Sequence, residues 1–91
     1  MVTVYSIDCS HMTSREVLHD YLKKTLRLPD YYGKNLDALF DCLTELGHPT
    51  RLEFSHLEHL VPLGDYGESL MSTFRDAALE NANLELIYSN F

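Results

Sequence analysis

The sequence predicts a small two-layer α/β domain, a three-stranded parallel sheet with helices packed against it. Three observations point there. Short β-branched or alternating segments stand far apart, at residues 2–7, 51–54 and 84–88. Amphipathic helical patterns fill the spaces between them, and connections of that kind join parallel neighbours by crossovers. Glu53 and Glu85 interrupt their strands, so one sheet face is expected to meet water. A parallel sheet covered on both faces reads instead as unbroken apolar runs.

The elements follow in order. Val2, Val4 and Ile7 mark the first strand. Thr13 and Glu16 have capping-box spacing, and Val17, Leu18, Tyr21, Leu22 and Leu26 repeat with helical period. They predict a helix over 15–26, ended by Leu28 and Pro29 because the residue before proline leaves the α region. Residues 29–33 are rich in turn formers and lead to a second helix. Asn35 is its expected N-cap, Leu36, Leu39, Leu43 and Leu46 line one face, and Gly47, His48 and Pro49 stop it. Ser55 is expected to cap a short turn over 56–60, before a break at Pro62–Gly64. A last helix carries Tyr66, Leu70, Phe74, Ala77 and Ala78 on one face.

Composition bounds what such a domain does. With 91 residues, 45% hydrophobic and 23% charged, residues 1–91 read as a single globular domain, and no repeat or disordered tract is apparent. A core this small leaves little room for an enclosed cofactor cavity, and no cofactor is expected. Net charge is −7, unevenly spread. Residues 1–34 hold five bases and four acids, whereas residues 35–91 hold two bases and ten acids. That surface repels phosphate backbones, so nucleic acid is not an expected partner; it favours a basic protein. The N-terminus lacks a basic signal region, and no apolar run has the length of a membrane span. Cys9 and Cys42 form neither a CxxC pair nor a disulfide framework. A cytoplasmic protein without membrane attachment is the expectation.

Catalytic signatures are absent: the sequence has no GxGxxG, GxxxxGK[ST], GxSxG or HExxH. His56 and His59, with Cys9 and His11, form a loose alternative metal or redox set, but their spacing is not that of structural zinc. Cys42 beside Asp41 is a poor nucleophile, since a neighbouring carboxylate raises a thiol's pKa. The anomaly is the second helix. Asp37, Asp41 and Glu45 recur every four residues, stacking three carboxylates on one face, with no Lys or Arg between Lys34 and Arg51. Like charges at this spacing weaken a helix. Phe40 falls outside the leucine stripe, beside the acidic row. An acidic ridge flanked by an aromatic, next to Tyr31, Tyr32 and Gly33, suits recognition of something cationic.

The stretch Leu28-Pro-Asp-Tyr-Tyr-Gly-Lys-Asn-Leu-Asp-Ala-Leu-Phe-Asp-Cys-Leu-Thr44 closely resembles the signature of the barstar family, intracellular inhibitors of secreted microbial ribonucleases. Weaker similarity runs from Val17 to the C-terminus. The resemblance implies a three-stranded parallel sheet with packed helices, no enzymatic activity, and a 1:1 complex with a basic extracellular ribonuclease. It also implies a site. Tyr31 would stack in the enzyme's cleft, Asp41 would enter its phosphate site, and Asp37 would meet basic groups nearby. Asn35 and Thr44 would add polar contacts, Gly33 a close backbone approach, and Asp76 a second acidic contact. Phe40, Glu45 and Leu46 stand where the family has tryptophan, glycine and tryptophan. Asp76 is one methylene shorter than the family glutamate, and Ala82 replaces a cysteine.

Overall fold

The computed structural model describes residues 1–88, and its backbone is organised by three strands. These are β1 (Thr3–Asp8), β2 (Thr50–Ser55) and β3 (Leu84–Tyr88), all parallel and ordered β1-β2-β3. Tyr5, Leu52 and Leu86 stand in one register row, and Ile7, Phe54 and Tyr88 in the next. Alternation then sorts the side chains. Ile7, Leu52, Phe54 and Leu84 are buried on one face. On the other, Arg51 Nε donates to Glu85 Oε1 at 2.7 Å and Val4 lies partly in water. The helices therefore cover one face only, as Glu53 and Glu85 imply, and the two-layer parallel domain stands.

Three α-helices make the second layer: α1 (Arg15–Thr25), α2 (Leu36–Thr44) and α3 (Asp65–Glu80). A 3₁₀ turn at Cys9–His11 follows β1, and a 3₁₀ helix at Leu57–Leu63 follows β2. Leu18, Leu22, Leu39, Leu43, Leu70, Phe74 and Ala77 enter the core from α1, α2 and α3. Among the described residues, no helix is long and apolar enough to cross a membrane.

Several local readings are corrected. Ser14 rather than Thr13 caps α1, its Oγ accepting from Val17 N–H at 3.2 Å, because the helix starts one residue later than the capping-box spacing implies. Val17 is exposed, and His19 takes the place expected for it in the buried face. The helix also ends before proline intervenes. Arg27 turns to φ 54°, and Leu28 N–H reaches back to Lys23 C=O at 2.9 Å, a Schellman-type closure. Ser55 ends β2 and caps nothing; His56, at φ 55°, precedes the 3₁₀ helix without a side-chain bond. That helix extends through Pro62, past the expected break. Gly67 is required where α3 meets it, since a Cβ there would lie 2.6 Å from Leu60 C=O.

Two tethers hold the loop 29–35 and α2 in place. The first is His19, only 2% exposed, whose Nδ1 is 2.6 Å from Tyr32 Oη and whose Nε2 is 2.5 Å from Tyr66 Oη. Burial, and then Arg15, hold its pKa below the usual value, with Asp20 opposing. The neutral imidazole offers one donor and one acceptor, so one tyrosine accepts and the other donates. The second tether is Asn81, nearly buried at the end of α3. Its Nδ2 donates to Leu43 C=O and Leu46 C=O, each at 3.0 Å, and its Oδ1 accepts from Asn83 N–H. The C-terminus of α2 is thus closed from α3. α2 ends at Thr44, ahead of Gly47, His48 and Pro49, and Gly47 does not adopt positive φ.

Each tether makes a measurable prediction. Asn81→Ala removes the side-chain donor shared by Leu43 and Leu46 C=O, leaving Leu46 C=O only Asn83 Nδ2 at 3.2 Å and Leu43 C=O only its local backbone donors. It should destabilise the fold by about 1 kcal/mol in denaturant melts. His19 binds its proton less readily folded than unfolded, so its contribution is complete above the unfolded pKa of about 6.5. Stability should therefore fall as pH drops from there toward the lower folded pKa. Melting temperatures of wild type and His19→Leu across pH 5–7.5 check this, since the variant should lose that slope.

Candidate functional site

The loop before α2 divides its two tyrosines. Tyr32 is 5% exposed and turned onto His19, while Tyr31 is 84% exposed. Tyr32 N–H closes a turn on Pro29 C=O at 2.9 Å. Lys34 sits at φ 54° and reaches Asp20 of α1, Nζ to Oδ1 2.7 Å, which lowers the Asp20 pKa through hydrogen bond and charge. Gly33 is exposed, and a Cβ there would press to 3.3 Å from Ala38 Cβ. The loop is thus tied inward at Tyr32 and Lys34 and presents Tyr31 outward.

Asn35 caps α2 as expected, its Oδ1 accepting from Ala38 N–H at 2.7 Å while Nδ2 faces Gly33 C=O at 3.3 Å. Leu39 and Leu43 are buried, and Leu36, Phe40 and Leu46 pack half-buried against the core. Phe40 is therefore at the border of the apolar face rather than wholly outside it. Asp37, Asp41 and Glu45 are all exposed. Asp37 lies in the first turn, where the helix dipole favours a carboxylate. Glu45 lies at the C-cap, where it does not, and no base occupies the last turn. Among the described residues none of the three carboxylates forms an ion pair. The Thr44 hydroxyl donates back to Phe40 C=O at 3.0 Å and Asp41 C=O at 3.1 Å, which occupies its proton but leaves its lone pairs free.

Asp76 is exposed on α3, which packs against α2. It follows Arg75, which with Met71 borders the groove beside the 3₁₀ helix, so helical rotation carries Asp76 past the solvent pole onto the opposite flank. A second groove lies between Arg15, His19, Lys34 and Tyr66. Tyr31, Asp37 and Asp41 line neither. They are exposed outside both grooves, where a partner protein can reach them.

The thiols lie apart from this chemistry. Cys9 is fully buried in the 3₁₀ turn, and burial pushes its pKa up to about 11. Cys42 is half-buried, its pKa raised by burial and then by Glu45 and Asp41. Neither is a ready nucleophile. Among the described residues, no group of three or more His, Cys, Asp or Glu is placed to hold a metal ion. His56 and His59 approach one another at 6.2 Å between ring centroids, with the exposed Glu58 close to both.

His19, Tyr66 and Asn81 escape a reading of the sequence. The only local signal for His19 is its position between Leu18 and Leu22 on the apolar face of α1. For Asn81 the signal is indirect, a helix α2 with no base in its last turn to meet the final carbonyls.

Comparison with known proteins agrees with this architecture. The family model described as "Barstar (barnase inhibitor)" matches residues 2–88. A protein of Bacillus subtilis (strain 168) named "Putative ribonuclease inhibitor YrdF" is 42% identical over 76 residues, covering 81% of this chain and 84% of its own length. The match spans all three strands, both tethers and the acidic helix between them, and the chain belongs to the barstar family.

Proposed function

We propose that this protein inhibits a microbial ribonuclease by covering its active site with the acidic face of α2 and the Tyr31 loop, protecting the cytoplasm of the cell that makes the enzyme. One observation carries the reading. Asp37 and Asp41 point outward, without cations of their own, from a helix secured at both ends. A ribonuclease site is built to stabilise phosphate charge, so carboxylates on a rigid helix are preorganised substitutes for its substrate. Asp41 takes the phosphate position among the enzyme's cationic groups, and Asp37 meets bases nearer the rim. Tyr31 stacks in the cleft, and Gly33 lets the backbone approach. Asn35, Thr44 and Asp76 extend the polar contacts. The partner is a basic, secreted ribonuclease held 1:1, and the protein acts by occupancy rather than turnover. Membership of the barstar family and the name of the Bacillus relative support this reading. Phe40, Glu45 and Leu46 alter the flanks of the acidic centre, which bears on which enzyme of that class is held.

Asp41→Ala separates a recognition residue from a core residue. The side chain is exposed and one turn from both Asp37 and Glu45, so its loss should leave stability unchanged or raise it by a few tenths of a kcal/mol, about the size of such repulsions. Inhibition of the ribonuclease should weaken by about 2 kcal/mol or more, roughly thirtyfold, mainly through faster dissociation. Leu43→Ala should do the reverse, costing about 2–5 kcal/mol of stability, because Leu43 is buried. Thermal melts and inhibition constants of the three proteins decide it; undiminished inhibition by Asp41→Ala would refute the site.

The acidic residues concentrated beyond Lys34 should also steer encounter. Association with a basic ribonuclease is expected to slow about tenfold or more between low salt and about 1 M, read by stopped-flow mixing. An on-rate indifferent to salt removes steering from the account.

A further inference from the structure

We infer that His19 is a positioning residue for partner binding: through Tyr32 it fixes the loop that presents Tyr31, although it lies beneath the recognition surface. The inference rests on the functional reading above. Its ground is an asymmetry in one hydrogen-bonded cluster. His19 holds two phenols, one from the recognition loop and one from α3. Tyr66 is braced in turn by Arg15, whose guanidinium carbon lies 4.1 Å from the ring centroid. The imidazole is therefore fixed on the α3 side, and what it fixes on the other side is Tyr32.

The loop has few other means of holding its shape. Its internal bonds are Tyr32 N–H to Pro29 C=O and an exposed Asn35 Nδ2 to Gly33 C=O at 3.3 Å, and Lys34 reaches Asp20 by an exposed ion pair. Exposed pairs of that kind are worth at most about 1 kcal/mol. Lys34 occupies a left-handed conformation that a lysine does not favour, so the backbone must be held there by its surroundings. Tyr32 is the loop side chain that enters the core, and its hydroxyl ends on His19. A loop set before encounter loses less conformational freedom on binding, which slows dissociation.

The cluster contains its own control. Tyr32→Phe and Tyr66→Phe each remove one hydroxyl from the same imidazole, and only the first belongs to the loop. Against a small basic secreted bacterial ribonuclease, Tyr32→Phe should raise the dissociation rate about five- to twentyfold, whereas Tyr66→Phe stays within about twofold at a comparable loss of melting temperature. In a His19→Leu background, already weakened, Tyr32→Phe should add less than about twofold, the sign of a shared pathway. Amide hydrogen exchange in the free protein should quicken at residues 30–35 in Tyr32→Phe and not in Tyr66→Phe. Equal effects of the two tyrosine variants on dissociation, or unchanged exchange in the loop, would overturn the positioning role. Asp41→Ala is run alongside: if it alone weakens inhibition, the positioning role fails and the site stands. If Asp41→Ala binds as tightly as wild type while loop exchange still responds to Tyr32→Phe, the site itself fails.

Discussion

A neutral imidazole buried between two phenols is the contact on which the loop before α2 depends. His19 joins α1, the loop before α2, and α3 through its two ring nitrogens. Each nitrogen must find a partner, because a buried polar atom left unpaired costs more than its hydrogen bond is worth when made. The demand fixes Tyr32 inward. With Tyr32 committed, the next residue along the chain on the N-terminal side has nowhere to go but outward, and Tyr31 becomes the most exposed of the site's aromatics.

The same logic governs α2. Its acidic row opposes helix formation through mutual repulsion and, at Glu45, through the wrong end of the dipole. A nine-residue helix of that composition would be marginal alone. Tertiary structure supplies what local sequence withholds: Asn35 closes the first turn, Leu39 and Leu43 bury the apolar face, and Asn81 closes the end from α3. Local disfavour on one face is thus carried by support from the rest of the fold, the pattern that the proposed recognition role of α2 would require.

Much of this was legible in the residues. Periodicity alone places Leu39, Leu43, Leu70 and Phe74 inward and Asp37 and Asp41 outward, because those assignments need only the helical repeat. The water-facing side of the sheet follows from two glutamates. What escaped were contacts between distant positions: Asn81 acts on carbonyls 38 and 35 residues upstream, and Tyr66 meets His19 across 47 residues. The end of α2 shows the same dependence: it falls before Gly47 as the residue types suggest, yet it is a side chain from the end of α3 that meets its carbonyls. Ser14 prevailed over Thr13 because two adjacent hydroxyls are equivalent by type, and only the first helical residue decides between them.

The division of labour between Tyr31 and Tyr32 has a consequence for which positions tolerate change. The inward tyrosine is bound to the core, whereas the outward tyrosine and the carboxylates of α2 are exposed and bury nothing in it. Substitutions at the outward positions should therefore cost the fold little, so the exposed face can change in shape and charge while the interior, which must satisfy every buried polar atom at once, stays as it is.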